Sequence, residues 1–501
     1  MEKLTQDKFL YRRQFVSGPE HDLFPTWPRL ALPDGNTVAA HPDLALTGYT
    51  GKHFQLVLLG YLLDPYHPEH DNNQVLADLD EKASDFQALC EQLYDESGHY
   101  ILFAYIDAHG MVLNDAGGLK QVYYHRDAAG KTWFTSHAAI LANLLHLPIS
   151  EGADHFIQSA KYKKKLEPWF PADTSPYEGL TRIIPNHYLD LSTMKQVRFW
   201  PLKKLKRYTL KQGTRLVGDL IKGTCEAGFS RFPAALTLTG GFDSRVVLAG
   251  CRSFVDQVEV FSMIYRQLTE ESEDLVIARQ ISQALKLNYR SFTCDQEIPA
   301  DFVDLYQRST EGYKTDWMNL VYGRYLNVPL DKVVFKGNIA EAIRCDFWPD
   351  GIYPVEINVD TFVDASVLGH DPFVVAAMDR WMQEAKPSEK YGYKLLDLFA
   401  WEVEAGSWQA MSHSIFGFAH EEFSPFGNRK LLDISLGVHK RHRCWPNLQL
   451  EQEVVKYLWP ELADFPYFSS WSMHGYKKKF YDGDLLNFLR KVRHHIKRLI
   501  K

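Results

Sequence analysis

The chain has 501 residues, a length that suits two to four domains, with 45% hydrophobic and 24% charged residues, an ordinary composition for a folded protein in water. A net charge of −7 and an isoelectric point near 6.3 give no global pull toward nucleic acid, so no nucleic-acid partner is expected. Six cysteines (Cys90, Cys225, Cys251, Cys294, Cys345 and Cys444) lie far apart without any C-x-x-C pair. That spacing argues against a zinc module or a disulfide scaffold and fits a reducing, cytoplasmic setting.

Taken in chain order, the opening MEKLTQDKFLYRRQ has no apolar stretch of the kind a signal peptide carries. Phe54 to Leu63 is the longest apolar run, about half of what a bilayer span needs, and reads as a buried strand. GHYILFAYID (Gly98 to Asp107) and the stretch from Met111 to Leu141 alternate apolar, strand-like segments with turns, and YEGLTRIIPNHYLD (Tyr177 to Asp190) follows. The basic runs at Lys163–Lys165 and Lys477–Lys479 read as solvated faces.

The most informative stretch is LTLTGGFDSRVV, Leu236 to Val247. Ala234 to Leu238 is short and apolar, a buried parallel strand, and Arg245 to Cys251 begins a helix. The loop between them, Thr239-Gly240-Gly241-Phe242-Asp243-Ser244, combines glycines that let backbone N–H groups converge with the positive end of the next helix. Such a loop suits phosphate. Ser244 can donate to it, whereas Asp243 repels it and makes sense as a ligand of the Mg2+ that accompanies a triphosphate. A Gly-Gly turn with an Asp-Ser helix cap is the plainer alternative. No Gly-Lys-Ser/Thr follows, so this is not the Walker A pattern.

The loop resembles the S-G-G-x-D-S pyrophosphate loop of the N-type ATP pyrophosphatases, with Thr239 in place of the first serine. That group includes asparagine synthetase, β-lactam synthetase and the lasso-peptide cyclases, which cleave ATP between the α and β phosphates and pass an adenylated carboxylate to a nucleophile. The resemblance implies ATP binding by Leu238, Thr239, Gly240, Gly241, Asp243 and Ser244. Val258 to Leu285 reads as a strand, a polar turn and a helix with apolar positions Leu275, Ala278, Ile281 and Leu285. By the same resemblance, Ser262 and Met263 on that strand contact the base. VVFKGNIAEAIR (Val333 to Arg344) resembles the family's second phosphate loop, in which Gly337 lies at the ATP and Glu341 takes the place of the second metal-binding aspartate beside Asp243. Asn338 stands where relatives carry an acid or a tyrosine, and asparagine cannot act as a general base. Glu421 to Arg443 resembles the stretch that opens the last helical part of asparagine synthetases, through Pro425-Phe426 and a helix from Arg429. The family's pyrophosphate-stabilising lysine has no counterpart near Gln449, upstream of Trp459-Pro460. Arg441, Arg443 and Lys456 remain alternatives.

Upstream, Gly98 to Asp107, Met111 to Leu141 and Tyr177 to Asp190 resemble the class II glutaminase domain of asparagine synthetases, with Asn114 replacing an arginine and Asp115 and Gly118 matching. That domain attacks glutamine with a cysteine at mature position 1. Here Glu2 follows Met1 and the first cysteine is Cys90, so glutaminase activity is not expected. The expected fold is α/β throughout: residues 1–205 form a glutaminase-like antiparallel sandwich with helices, and residues 206–501 form a doubly wound parallel-sheet ATP domain with a helical extension.

Three activities fit: an ATP- and Mg2+-dependent ligase joining a small-molecule or peptide carboxylate to an amine, a catalytically degenerate nucleotide-binding scaffold, and an ammonia-dependent amidation of a metabolite. The stretch LLNFLRKVRHHIKRLIK near the C-terminus places Leu485, Leu489, Val492, Ile496 and Leu499 on one helical face, with basic residues elsewhere. Such a helix packs on the protein's own core or makes peripheral contact with an anionic membrane surface.

Overall fold

The computed structural model describes residues 5–348, 351–445 and 448–468. The amphipathic stretch from Leu485 onward lies outside the described residues. Three sheets organise the chain: two six-stranded antiparallel sheets, then one five-stranded parallel sheet.

The antiparallel sheets stack face to face with a helical layer on each outer side. The period-2 rule shows directly in the core. Along Gln55–Leu63 and Ser97–Ile106, Val57, Leu59, Ile101 and Phe103 meet Phe15, Val38 and Phe134 between the sheets. The alternate residues, Leu56, Leu58, Leu62, Tyr100 and Leu102, meet Val75, Leu76, Leu79 and Leu89 of the helices Asn72–Lys82 and Phe86–Gln92. A strand buried on both faces has no polar side, which is why 54–63 reads as one apolar run. On the far side of the other sheet, Val16, Ala39 and Trp133 pack on Ile140 and Leu141 of the helix Ala138–Leu145.

The parallel sheet runs in the spatial order Tyr289–Thr293, Glu259–Ile264, Ala234–Thr237, Val333–Phe335, Glu422–Phe423. Every pairing in it is parallel. Ala234, Leu236 and Val260 face a core shared with the long helix Leu210–Arg231 and the helix Phe242–Gly250, while Ala235, Phe261 and Val334 face Phe292, Cys294 and Val328 on the other side. Strand order turns from leftward to rightward between Ala234–Thr237 and Val333–Phe335. At such a switch point the loops leaving the two strands diverge and open a crevice at their carboxyl ends. A helical portion packs against this sheet and shares its core, including an eleven-residue π-helical stretch, Phe399–Gln409, and the helices Arg429–Gly437 and Gln449–Leu458.

The antiparallel sandwich meets the parallel sheet through buried ions. Glu421, next to the edge strand, pairs with His99 (2.6 Å), Lys120 (3.3 Å) and Arg13 (3.3 Å) from the antiparallel sandwich. Its neighbour Glu422 pairs with Arg324 (2.5 Å) and Lys336 (3.1 Å) inside the parallel domain. These cations hold both carboxyl groups well below the usual range, Glu422 at about 2.

One expectation from composition fails. Cys345 and Cys444 form a disulfide across a separation of 99 residues, while Cys90, Cys225, Cys251 and Cys294 are free and buried. Pairing at that distance is a tertiary contact and leaves no local spacing to read. No helix among the described residues is long and apolar enough to cross a membrane.

A candidate nucleotide site at the switch point

Both loops singled out in the sequence leave strands that flank the switch point. Ala234–Thr237 delivers the Gly240 loop, and Phe242–Gly250 starts its helix there with Gly241 at the N-cap. Val333–Phe335 delivers Gly337, followed by the short 3-10 turn Ala340–Ile343 that carries Glu341. The loops touch where a side chain would not fit: a β-carbon on Gly337 would lie 2.4 Å from the β-carbon of Asp243. Glycine at 337 therefore brings the two acidic loops together.

The contact is organised by a cation. Arg344, 6% exposed, donates to Asp243 Oδ1 at 2.6 Å and to Glu341 Oε1 at 3.0 Å, so both carboxylates converge on one point. Asp346 lies 3.9 Å from the same guanidinium. A third carboxyl, Glu451 from the first turn of Gln449–Leu458, is buried against Asp243 and hydrogen-bonds to it. Burial raises the Asp243 pKa to about 6 against the opposing pull of Arg344, and burial beside Asp243 pushes Glu451 far above the usual carboxylate range. Of the two, Glu451 is thus the one that holds its proton to higher pH. From the π-helical stretch, Gln409 donates to Glu341 Oε2 at 2.9 Å and accepts from the Ile339 amide at 2.8 Å, fixing the turn in which Ile339 takes a left-handed conformation.

The Gly240 loop is closed on itself. Thr239 and Ser244 hydroxyls lie 3.0 Å apart, and the Gly241 amide donates to Thr239 Oγ1 at 3.1 Å. The Gly240 amide donates to Asp274 Oδ1 at 3.0 Å, so a carboxylate already sits on one of the amides that suit an anion. Arg245, fully buried, reaches back to the Gly240 carbonyl (3.1 Å) and to the carbonyls of Phe465 (2.9 Å) and Pro466 (2.6 Å). Tyr467 stacks on Phe242 at 4.1 Å and lies under the Arg245 guanidinium at 3.8 Å. Residues 465–468 therefore lie across the loop, and the Phe468 amide donates to the Gly240 carbonyl at 3.1 Å.

The expected base contacts sit on the next strand. Ser262 donates to the Leu238 carbonyl at 2.6 Å and accepts from Tyr289 at 3.0 Å, and the Met263 sulfur accepts from Arg324 at 3.4 Å. Pairing with the central strand stops at Phe261, which leaves the Ser262–Ile264 end with a ladder partner on one side alone. Leu238, Thr239, Gly240, Gly241, Asp243, Ser244, Ser262, Met263, Gly337 and Glu341 all lie at the carboxyl end of the parallel sheet.

Asp243 departs from its expected setting: it belongs to the first helical turn and an ion pair, not to a free loop. Of the three cations considered for the missing lysine, none reaches the carboxylates. Arg441 bonds to His442, Arg443 to the carbonyls of Val438 and Ile343 and to Asp397, and Lys456 is exposed. The cation that does reach both carboxylates is Arg344, and its i, i+3 spacing from Glu341 was the available signal. Glu451, two residues past Gln449, had no signal of its own.

No family model and no curated protein matches the chain. Among solved structures, it is similar to the glutamine phosphoribosylpyrophosphate amidotransferase from B. subtilis complexed with ADP and GMP, at 8% identity and a TM-score of 0.24, covering 57% of this chain and 61% of that one. It is similar to a structure of the allosteric regulatory enzyme of purine biosynthesis at 8% identity and a TM-score of 0.25, covering 53% and 63%. A third is the glutamine-dependent NAD+ synthetase from Acinetobacter baumannii in complex with ADP, at 12% identity and a TM-score of 0.20, covering 62% and 83%. The chain spans less than two thirds of the length of the first two. Likeness at this level identifies neither a fold nor an activity, and both rest on the chain's own residues.

Proposed function

We propose that the chain is an ATP-dependent ligase that adenylates a small-molecule or peptide carboxylate, releases pyrophosphate and passes the acyl group to an amine or ammonia. The observation that carries this reading is the convergence of Asp243 and Glu341 on one cation at the switch point, beside a Gly-Gly loop capped by a helix. An all-oxygen donor set suits Mg2+, and Asp243 and Glu341 would hold it. There the metal would neutralise charge on the departing pyrophosphate. Arg344 then exchanges its carboxylates for phosphate oxygens, which matches the bidentate geometry of a guanidinium. The loop amides of Gly240 and Gly241 and the hydroxyls of Thr239 and Ser244 cradle the phosphates once Asp274 and Thr239 release them. Asn338, 3.2 Å from His413, offers no base, and an unprotonated amine requires little help from one.

The antiparallel sandwich contributes no thiolate: its one cysteine, Cys90, is buried with its pKa raised to about 12. In this reading the amine comes from a substrate or from free ammonia.

A second reading, a nucleotide-binding scaffold without catalysis, is favoured by the groups already seated on the loop: Asp274 on Gly240, Tyr467 on Phe242, and Arg344 between the carboxylates. Purified protein with Mg-ATP, screened against carboxylates for pyrophosphate release, separates the two. Substrate-dependent pyrophosphate supports the ligase. ATP binding without pyrophosphate in the presence of native extract supports the scaffold.

A further inference from the structure

A second constellation lies about the sandwich's junction with the helix Leu210–Arg231, away from the switch point. The turn between the strand Gln55–Leu63 and the helix Asn72–Lys82 reads Asp64-Pro-Tyr-His-Pro-Glu-His-Asp71. His67, Glu69 and His70 place ligand atoms within 4.8 Å of one another, as do Asp64, His70 and Asp78. His67 Nδ1 is 3.8 Å and His70 Nε2 is 4.0 Å from Glu69 Oε1. The two imidazoles lie parallel at 4.8 Å.

The opposite nitrogen of His70 gives this group its direction. Nδ1 faces inward, 3.4 Å from Asp78 Oδ2, buried and without a well-formed hydrogen bond. Asp64 is buried beside it and held by the amides of Tyr66 and His67. One nitrogen toward a carboxylate and the other toward solvent is the arrangement that fixes a metal-binding imidazole's tautomer and orientation.

The backbone of the turn is set in advance. The His70 amide donates to the His67 carbonyl, and Asp71 caps the helix Asn72–Lys82 through a capping box. From the long helix, Arg231 donates to the His70 carbonyl (2.8 Å) and to Asn72 (2.6 Å), and Ser230 donates to the Pro68 carbonyl (2.5 Å). Gly223 on that helix admits the turn, since a β-carbon there would lie 2.0 Å from the Pro65 carbonyl oxygen.

We infer that His67, Glu69 and His70 bind a first-row divalent cation of the Zn2+ class, with Asp78 as the positioning residue behind His70. Two imidazoles and one carboxylate are the donors such ions prefer. Bonds of about 2.0–2.2 Å bring donors to about 3.3–3.5 Å of one another, so they close from up to 4.8 Å, and His67 turns out of its stack on His70 so that both in-plane lone pairs meet at the ion. The side chains of His67 and Glu69 are 53% and 71% exposed and free to close. The remaining coordination positions face water. The bound ion would brace the turn that Ser230 and Arg231 already tie to the long helix, independently of any nucleotide.

The test uses the full chain, stripped with chelator and dialysed, then titrated with Zn2+ against a chromogenic chelator at pH 7.5. One saturable equivalent per chain is expected, with His67→Ala and Glu69→Gln each weakening it at least about 10-fold, and Asp78→Asn by about 10- to 100-fold. Zn2+ should raise the melting temperature of the wild type but not of His67→Ala, whose exposed side chain makes folding failure an unsuitable explanation. Two outcomes overturn the inference: no saturable equivalent in the wild type, or unchanged affinity in both His67→Ala and Glu69→Gln, which would place any bound zinc elsewhere.

Discussion

Replacing Arg344 with methionine removes the cation that Asp243 and Glu341 share and leaves Glu451 as a third carboxyl in the same pocket. Each direct pair is worth about 4 kcal/mol at 4 Å in an effective dielectric near 20, and the cost of burying the ions offsets part of that. Removing one partner of a buried pair typically costs about 3–5 kcal/mol, because the other charge stays buried and unpaired. Arg344→Met should lose that much at pH 7. The sign with pH follows from Asp243. Its folded pKa of about 6 already lies above that of an unfolded aspartate, and losing the guanidinium moves it further up. The folded variant then binds more protons than the unfolded chain, so the deficit against wild type shrinks as pH falls from 7 toward 5. Millimolar Mg2+ should restore part of the loss at pH 7 by taking the vacated place between the carboxylates. Thermal unfolding of both proteins at pH 5, 6 and 7, with and without Mg2+, measures all three effects. Equal stability at pH 7, or a deficit that grows on acidification, refutes the account of the pocket.

Asp243→Asn should abolish pyrophosphate release while costing about 1–3 kcal/mol, since Arg344 retains Glu341; near-wild-type turnover would sink the assignment of Asp243. Glutamine, with or without ATP, should yield no glutamate, because burial keeps the sandwich's one thiol, Cys90, protonated, its pKa pushed up to about 12; glutamate release from pure protein would contradict this. Glu421→Gln should destabilise by about 3–5 kcal/mol, as Arg13, Lys120 and His99 lose their common anion, and a thermal shift reports it. Reducing Cys345–Cys444, or replacing Cys345 with serine, should lower stability by up to about 4–5 kcal/mol, the chain-entropy figure for a loop near 100 residues. An unchanged melting temperature in dithiothreitol would show that the staple contributes little.

What the sequence made legible was local. Glycine spacing, helix starts and apolar runs pointed to the strand–loop–helix around Gly240 and to the strand at Val333–Phe335, because those signals lie within a dozen residues of one another. The buried faces of Leu275, Ala278 and Ile281 were legible for the same reason. The interior of the site was not. Glu451 reaches Asp243 across 208 positions and Tyr467 reaches Phe242 across 225, and neither leaves a mark near its partner. Arg344 stood in plain view after Glu341, yet its role depends on Asp243, a hundred residues away. Cys345 and Cys444 stayed hidden in the same way.

That disulfide also changes what kind of object the molecule is. It turns residues 345–444 into a covalent ring, and the ring contains Glu422–Phe423, which is the outermost strand of the parallel sheet. A backbone cut anywhere between the two cysteines therefore opens the ring without dividing the molecule. The cut chain would migrate as one species on a non-reducing gel and as two after reduction. Where the cut falls before Glu422, the fifth strand would stay covalently tethered to the other four through sulfur alone, beside the arginine that holds the two acidic loops together.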